Sequence, residues 1–428
     1  MTRPFLLSLY GAALSALSPL AGPVFRARAA KGKEDRARIG ERMGRTDIAR
    51  PDGPLVWLHG ASVGETRVNL ALAGALAAAR PGLNLLLTTQ TRTAAQIVQR
   101  DAPPGAIHQF VPLDAPAPAR RFLDHWRPDL AVFAESELWP SLIAGAAARG
   151  IPLALANARM SASSLRGWAR FPRCAAWLLS RFSWIGAGDT ATAGGLAGLS
   201  GRAVAFTGNV KLDAPQPAYD TAALAALKEA IGARMTWCAA STHEGEEETI
   251  LEAHRALRFG APDALLILCP RHPERGDAVE ATIRTAGMTS ARRSRGEAPG
   301  ADTDVYLADT IGEMGVLLRA APVVLLGGAL VPGIGGHNPA EPVRAGAALM
   351  SGPHTHNFAD VFSALAERGG AAVVEEEGQI AQTCAGLLAN PERRAAMRRA
   401  AETVLYESAG ATARTVEALT GLLDGAGQ

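Results

Sequence analysis

Short apolar runs bounded by turn residues recur along the chain, with Ala-rich stretches of helical character between them. In the first half they fall at residues 55–58, 83–88, 107–111, 130–133, 153–155 and 204–206. After a polar, Pro-containing stretch at 208–217 the alternation restarts, at 236–239, 264–268, 305–307, 323–326 and 372–374. Near-continuous apolar runs are strands buried on both faces, and helices between them make the sheets parallel. The pattern therefore predicts an α/β chain of two similar halves, which its 428 residues can accommodate. Such sheets bind ligands beyond the carboxyl ends of their strands, so chemistry is expected at the strand-to-helix turns and in the cleft between halves. The polar, Gly-containing stretch 292–304 reads as a loop.

The N-terminus departs from this pattern. No charged side chain stands between Arg3 and Arg26, and residues 4–25 would extend roughly 33 Å as a helix, enough for a hydrocarbon core of about 30 Å. Arg26, Arg28, Lys31 and Lys33 follow at once while only Arg3 precedes, a bias that keeps the following body in the cytoplasm. A cleaved signal peptide would also show an apolar run, but the dense basic flank after it fits an uncleaved anchor better. Pro4, Pro19 and Pro23 disturb a regular helix, so a segment lying in the interface is the alternative to one that crosses. The expected organisation is an anchor with its basic flank at 1–30, a first domain at 31–207, a linker at 208–217 and a second domain at 218–428.

Composition narrows the function. Apolar residues make up 48% of the chain and charged residues 20%, which fills two cores and excludes a broadly disordered protein. A net charge of +2 excludes a globally basic nucleic-acid binder, although residues 1–50 hold ten Lys or Arg against four Asp or Glu. Cys174, Cys238, Cys269 and Cys384 form no CxxC pair, so neither a disulfide framework nor a zinc ribbon is expected, and the compartment reads as reducing. There is no GxxxxGK[ST], no GxGxxG between a strand and a helix, and no HExxH; the spacing of His337, His354 and His356 is weak support for a metal. No metal and no cofactor is expected.

Four stretches of the first half carry ionisable groups. In Trp57-Leu58-His59-Gly60-Ala61-Ser62-Val63-Gly64-Glu65 a strand runs through a glycine turn into a helix. Ser62 and Glu65 have the spacing of a capping box, which explains Glu65 without catalysis; a carboxylate there could also take a proton from an attacking hydroxyl. Glu135-Ser136-Glu137-Leu138-Trp139-Pro140 places two more carboxylates at a strand end, either solvated at a helix start or supporting charge in a transition state. Arg159, in Asn157-Ala158-Arg159-Met160-Ser161, could meet a phosphate or a nearby carboxylate. Lys211, one of only four lysines, is either a linker salt bridge or an ammonium able to neutralise a leaving phosphate.

In the second half, Ser241-Thr242-His243-Glu244 has the spacing of another capping box, and Ser241 and Thr242 are candidate phosphate contacts in a helix start crowded by Glu244, Glu246, Glu247 and Glu248. Pro270-Arg271-His272 ends a strand where Arg271 and His272 could contact an anion or a base. The stretch from Gly327 to Pro342 is rich in glycine, which permits close backbone approach to a ligand. There Asn338 and Pro339 read as Ncap and N1 of a helix, and Glu341 as a grip on ribose hydroxyls.

Taken together these stretches resemble the 3-deoxy-D-manno-octulosonic acid (Kdo) transferases of lipopolysaccharide synthesis, over nearly the whole chain. The motifs stand in order: GERMGR at 40–45, SVGE at 62–65, ESELWP at 135–140, NARMS at 157–161, GNVKLD at 208–213, ASTHEGEE at 240–247, PRHPER at 270–275, DTIGEM at 309–314, GGHNPAEP at 335–342 and GPHTHNF at 352–358. The resemblance implies a GT-B fold of two Rossmann-like domains facing a cleft, with a final helix that can cross back; together with the N-terminal membrane-anchor helix, the expected location is the inner membrane, with the catalytic domains on the cytoplasmic side. It implies inverting, metal-independent transfer of Kdo from CMP-β-Kdo to a tetra-acylated lipid A precursor. Carried over motif by motif, Glu65 is the base, and Glu135 and Lys211 lie near the developing charge. The CMP contacts map onto Pro270, Arg271, Gly312, Glu313, Met314, Asn338, Pro339, Ala340 and Glu341.

The chain departs from the family pattern in three places. Thr88-Thr89-Gln90-Thr91-Arg92-Thr93-Ala94 replaces a TTxTPTG-like stretch, Ala340 a commonly larger apolar residue, and Leu212 a frequent aromatic. The competing readings are another GT-B enzyme, such as a UDP-sugar transferase or epimerase, and a non-catalytic, membrane-tethered sugar-nucleotide-binding protein.

Overall fold

The structure is a computed structural model and describes residues 2–426. Two seven-stranded sheets are wholly parallel. The first comprises β1 (Leu55–His59), β2 (Asn84–Thr89), β3 (Ile107–Phe110), β4 (Leu130–Ala134), β5 (Leu153–Ala158), β6 (Trp184–Ala187) and β7 (Ala205–Phe206), in the order β3-β2-β1-β4-β5-β6-β7. The second comprises β8 (Thr236–Thr242), β9 (Leu265–Pro270), β10 (Ser290–Arg292), β11 (Val305–Leu307), β12 (Val323–Leu326), β13 (Ala348–Ser351) and β14 (Ala371–Val373), in the order β10-β11-β9-β8-β12-β13-β14. Strand order reverses between β1 and β4 in one and between β8 and β12 in the other, the positions where doubly wound sheets take ligands.

Both sheets are covered on both faces, as the apolar runs require. In β1, Leu55 and Trp57 join one core while Val56 and Leu58 join the other; in β9, Leu266 and Leu268 are divided in the same way from Leu265 and Ile267. Each fully buried side chain of this size stabilises the fold by roughly 1.5–3 kcal/mol. Three strands escape the sequence pattern: β6 interrupts its run with glycine, β10 is a short polar edge, and β13 lies in an Ala-rich stretch that reads equally as helix. The expected loop 292–304 is corrected at its start. Arg292 ends β10 and bonds Asp309 at 2.6 Å, and Arg293–Arg295 form a single helical turn.

The chain divides into two compact units, one of residues up to Asp213 together with those from Gly410 on, the other of Ala214–Ala409. The stretch 208–217 is therefore not linker throughout. Val210–Asp213 form a helical turn with Val210 and Leu212 buried in the first unit. The Asp213 carboxylate accepts from Gly410 N at 2.8 Å and Thr412 N at 2.6 Å, so it starts the final helix Ala411–Ala426. Ala411, Val416 and Leu419 of that helix pack with Val68 and Leu72 of the helix Val63–Ala79.

The N-terminal helix Phe5–Ala30 continues through Pro19 and Pro23. Leu7, Gly11, Leu14, Ser18, Ala21, Gly22, Phe25 and Ala29 are its buried or half-buried positions. They recur at helical spacing, but only Leu7 and Gly11 are buried, and a Cβ on Gly22 would meet nothing within 4 Å, so the helix touches the first unit near its two ends rather than along its whole length. Tyr10 donates to Asp114 at 2.9 Å near one end; Arg42 sits 5.8 Å over the Phe25 ring and Arg28 pairs with Glu34 at 3.1 Å near the other. Phe5, Leu6, Leu9, Leu17, Leu20 and Val24 remain exposed.

Candidate active site

At the reversal point of the first sheet, β1 ends at His59 and turns into the helix Val63–Ala79 with Ser62 as its cap. The capping box is complete: Glu65 N donates to Ser62 Oγ at 3.3 Å, and Ser62 N donates to Glu65 Oε2 at 2.6 Å. The box engages Oε2 and leaves Oε1 outside it. Glu65 is only 8% exposed, and burial, then the charge of Glu137, raise its pKa above the ordinary carboxylate range. A Cβ on Gly60 would stand 2.8 Å from Glu65 Cβ and 2.9 Å from Asn69 Nδ2, so only glycine makes this turn without moving the carboxylate.

Next to it, β4 runs into Glu135, whose φ of 55° is left-handed. Asn157, at the end of the neighbouring β5, is fully buried and left-handed too, with φ 50°. Strain of about 1–3 kcal/mol per such residue persists only where the surroundings hold it, commonly at functional sites. What holds it here is Asn157: its Nδ2 donates to Glu135 Oε1 at 3.2 Å and its Oδ1 accepts from Val210 N at 2.9 Å. That fixes the backbone immediately before Lys211, whose Nζ stands 2.6 Å from Glu135 Oε1 and beside Gly64 in the first turn of the Glu65 helix. Glu65, Glu135 and Lys211, from three separate stretches, thus meet in the first unit. Arg159 faces Asp189 at 3.6 Å, the carboxylate alternative raised for it. His59, Glu137 and Asn157 stand beside Glu65, Glu135 and Lys211; the sequence offers Glu137 together with Glu135 as a carboxylate supporting charge and gives His59 and Asn157 no role.

At the reversal point of the second sheet, β8 ends in Ser241, left-handed at φ 60°, and Thr242. The expected Ser241–Glu244 box does not form, since the helix begins at Glu247 with Glu246 as its cap. Fully buried Thr242 donates its hydroxyl to Glu247 Oε1 at 3.1 Å, and Arg275 reaches the same carboxylate at 2.7 Å. Glu246, also fully buried, accepts from His243 N at 2.9 Å and from Gly328, Ala329 and Leu330 N at 2.8, 3.0 and 2.9 Å. Two of the four acids therefore turn inward, and Glu246 shapes the glycine-rich loop that follows β12.

The other candidate residues lie in this unit as follows. Pro270 ends β9, with Arg271 and His272 exposed beyond it. Gly312 has φ 88°; Glu313 bonds Arg293 Nε at 2.7 Å, which lowers its pKa; and Met314 opens the helix Met314–Ala320. Asn338 Oδ1 accepts from Ala340 N at 3.0 Å, and Pro339, not Asn338, is the cap of Ala340–Arg344. Ala340 is fully buried and Glu341 half-buried. His337 stacks on His243, with Nε2 atoms 2.9 Å apart, and burial takes its pKa down to about 4. Among the described residues no group of three or more His, Cys, Asp or Glu is placed to hold a metal ion.

Two parallel sheets whose reversal points carry these groups define a GT-B architecture. The solved structure of HepE from Anabaena in complex with UDP and glucose shares that fold, with a TM-score of 0.57 over 86% of this chain and 100% of that one at 13% identity. The family described as 3-deoxy-D-manno-octulosonic-acid transferase (kdotransferase) matches residues 37–214. The 3-deoxy-D-manno-octulosonic acid transferase of Bordetella pertussis is 38% identical, covering 88% of this chain and 90% of that protein; that of Haemophilus influenzae is 33% identical, covering 92% and 93%. The chain belongs to the Kdo transferase family and is a glycosyltransferase.

Proposed function

We propose that this enzyme transfers Kdo from CMP-β-Kdo to a tetra-acylated lipid A precursor, with inversion, at the cytoplasmic face of the inner membrane. The observation that carries this reading is the meeting of Glu65, Glu135 and Lys211 at the ends of β1 and β4. Glu65 takes the proton of the acceptor hydroxyl as its oxygen attacks the anomeric carbon. The bond from that carbon to the phosphate oxygen breaks, and CMP leaves with the bonding electrons. Lys211, oriented by Glu135, stabilises the charge that develops. Pro270, Arg271, residues 312–314 and residues 338–341 hold CMP, with Ser241 beside them at the phosphate. Thr242, with its hydroxyl already donated to Glu247, acts through its backbone.

The N-terminal helix lies along the membrane surface rather than crossing it. This placement is supported by contacts with its own unit near both ends, Tyr10 to Asp114 and Arg42 over Phe25, and by an outward side that carries Phe5, Leu6, Leu9, Leu17, Leu20 and Val24. Arg26, Lys31 and Lys33 at its end suit anionic headgroups. The donor assignment is tested by thermal stabilisation, where CMP must raise Tm more than UDP. The base assignment is tested with Glu65→Gln, which must abolish Kdo transfer while CMP still stabilises the protein. Transfer by that variant near the wild-type rate would leave Glu65 as a helix cap only.

A further inference from the structure

The second carboxylate of the ESELWP stretch is more enclosed than its place two residues after Glu135 suggests. Glu137 receives the indole N–H of Trp139 and stands 3.4 Å, through Oε2, from His59 Nε2. His59 is fully buried, and that nitrogen has no ordinary hydrogen-bond partner. Its other nitrogen, Nδ1, lies 2.9 Å from Thr88 Oγ1, which also accepts from the Trp57 indole at 2.8 Å. The hydroxyl can accept from the indole and give its one proton to Nδ1, and the carboxylate facing Nε2 places the imidazole proton there. On its other side Glu137 faces the turn that carries Glu65, since β1 and β4 run side by side with His59 opposite Phe133, and the two carboxyl groups act on one another. The series Trp57, Thr88, His59, Glu137, Glu65 therefore runs from the core of the first unit to the proposed base.

Resting on the assignment of Glu65 as that base, we propose that Glu137 is its proton-sharing partner. It is an ionised carboxylate, held by His59 and Trp139, whose charge keeps the base strong and whose oxygen receives the hydrogen bond of Glu65 once Glu65 is protonated. Glu137 is thus a positioning residue that acts through Glu65. In the transfer step the acceptor O–H bond breaks and an O–H bond forms on Glu65; Glu137 gains no covalent bond. The remaining charged groups facing the pair are Glu135, which acts on Glu65 and is itself bonded to Lys211, and Asp114, on the far side of His59. The titration agrees in direction. Burial and then Glu137 raise Glu65, while for Glu137 burial is outweighed by the N–H groups of His59 and Trp139 that face it, with Glu65, which bring it below the ordinary range.

The test is the pH profile of kcat for the full-length enzyme. A base works only when ionised, so activity is lost as pH falls through the pKa of Glu65. In Glu137→Gln that acid limb should move to lower pH by about one unit, and the plateau should fall about tenfold, with KM for the donor unchanged. In His59→Leu, where Glu137 loses the donor that keeps it ionised, the limb should move in the same direction by a smaller amount, and Glu137→Asp should restore part of the wild-type profile. If Glu137→Gln keeps both limb and plateau while Glu65→Gln is inactive, the pairing is overturned and the base stands. If Glu65→Gln is itself active, the base assignment fails first. Should Glu137→Gln not fold, an unmoved limb in folded His59→Leu overturns the pairing by itself.

Discussion

Lys211 Nζ stands 2.6 Å from Glu135 Oε1, which joins a lysine from a stretch that reads as linker to a glutamate at a strand end. The pair has no net charge, so what it gives the site is an oriented ammonium. Lys211→Met should lower kcat by about 10²–10³-fold, because it removes stabilisation of the leaving group and leaves Glu135 unpaired near Glu65. Lys211→Met combined with Glu135→Gln should cost little more than Lys211→Met alone. Additive losses in steady-state assays of Lys211→Met, Glu135→Gln and the double variant would separate the two residues.

Gly60→Ala should disable transfer without replacing any ionisable residue. Its Cβ would meet Glu65 Cβ at 2.8 Å, and the backbone carbon of Glu65 at 3.1 Å prevents a simple side-chain retreat. A loss of at least about tenfold in kcat is expected, with stabilisation by CMP preserved. Unchanged kcat would show that the turn can relax.

Acid should destabilise the second unit through His254. The Trp237 indole donates to its Nδ1 at 3.2 Å, so Nε2 carries the proton and donates to Asp304 O at 3.0 Å. Burial lowers its pKa to about 4, against about 6.5 in an unfolded chain. Between these values the unfolded state binds more protons, so stability falls as pH drops from about 6.5 to about 4, by up to about 3 kcal/mol for this one group. Urea unfolding followed by tryptophan fluorescence should show the slope, and His254→Gln should flatten it.

An N-terminal helix lying along the membrane surface has both of its ends on one side. All four native cysteines are buried, so single cysteines introduced at Phe5 and Lys33 can be labelled selectively. An impermeant maleimide should reach both from the cytoplasmic side of membrane vesicles, whereas a crossing helix would expose only one. Leu9→Asp with Leu20→Asp should weaken vesicle binding while leaving CMP binding intact.

Much of this was legible in the sequence because it depends on local pattern. Apolar runs gave most strands, and the spacing of Ser62 and Glu65 gave a capping box that forms as drawn. What stayed hidden depends on partners far along the chain. Glu246 reads as one of a run of solvated acids until Gly328, Ala329 and Leu330 supply its donors. Asn157 gave no sign of clamping Glu135 to the segment of Lys211, since both bonds depend on neighbouring strands and on the left-handed backbone. Glu135 and Glu137 are alike by spacing; His59, two strands' width of sequence earlier, decides which of them is enclosed with Glu65.

The most direct measurement is mass spectrometry of a tetra-acylated lipid A precursor incubated with the purified enzyme and a CMP-Kdo generating system. The account predicts a mass gain of one or more Kdo units, dependent on the donor and absent with Glu65→Gln. No gain from folded protein that binds CMP would contradict the proposed acceptor, and an equal gain with Glu65→Gln would contradict the proposed base.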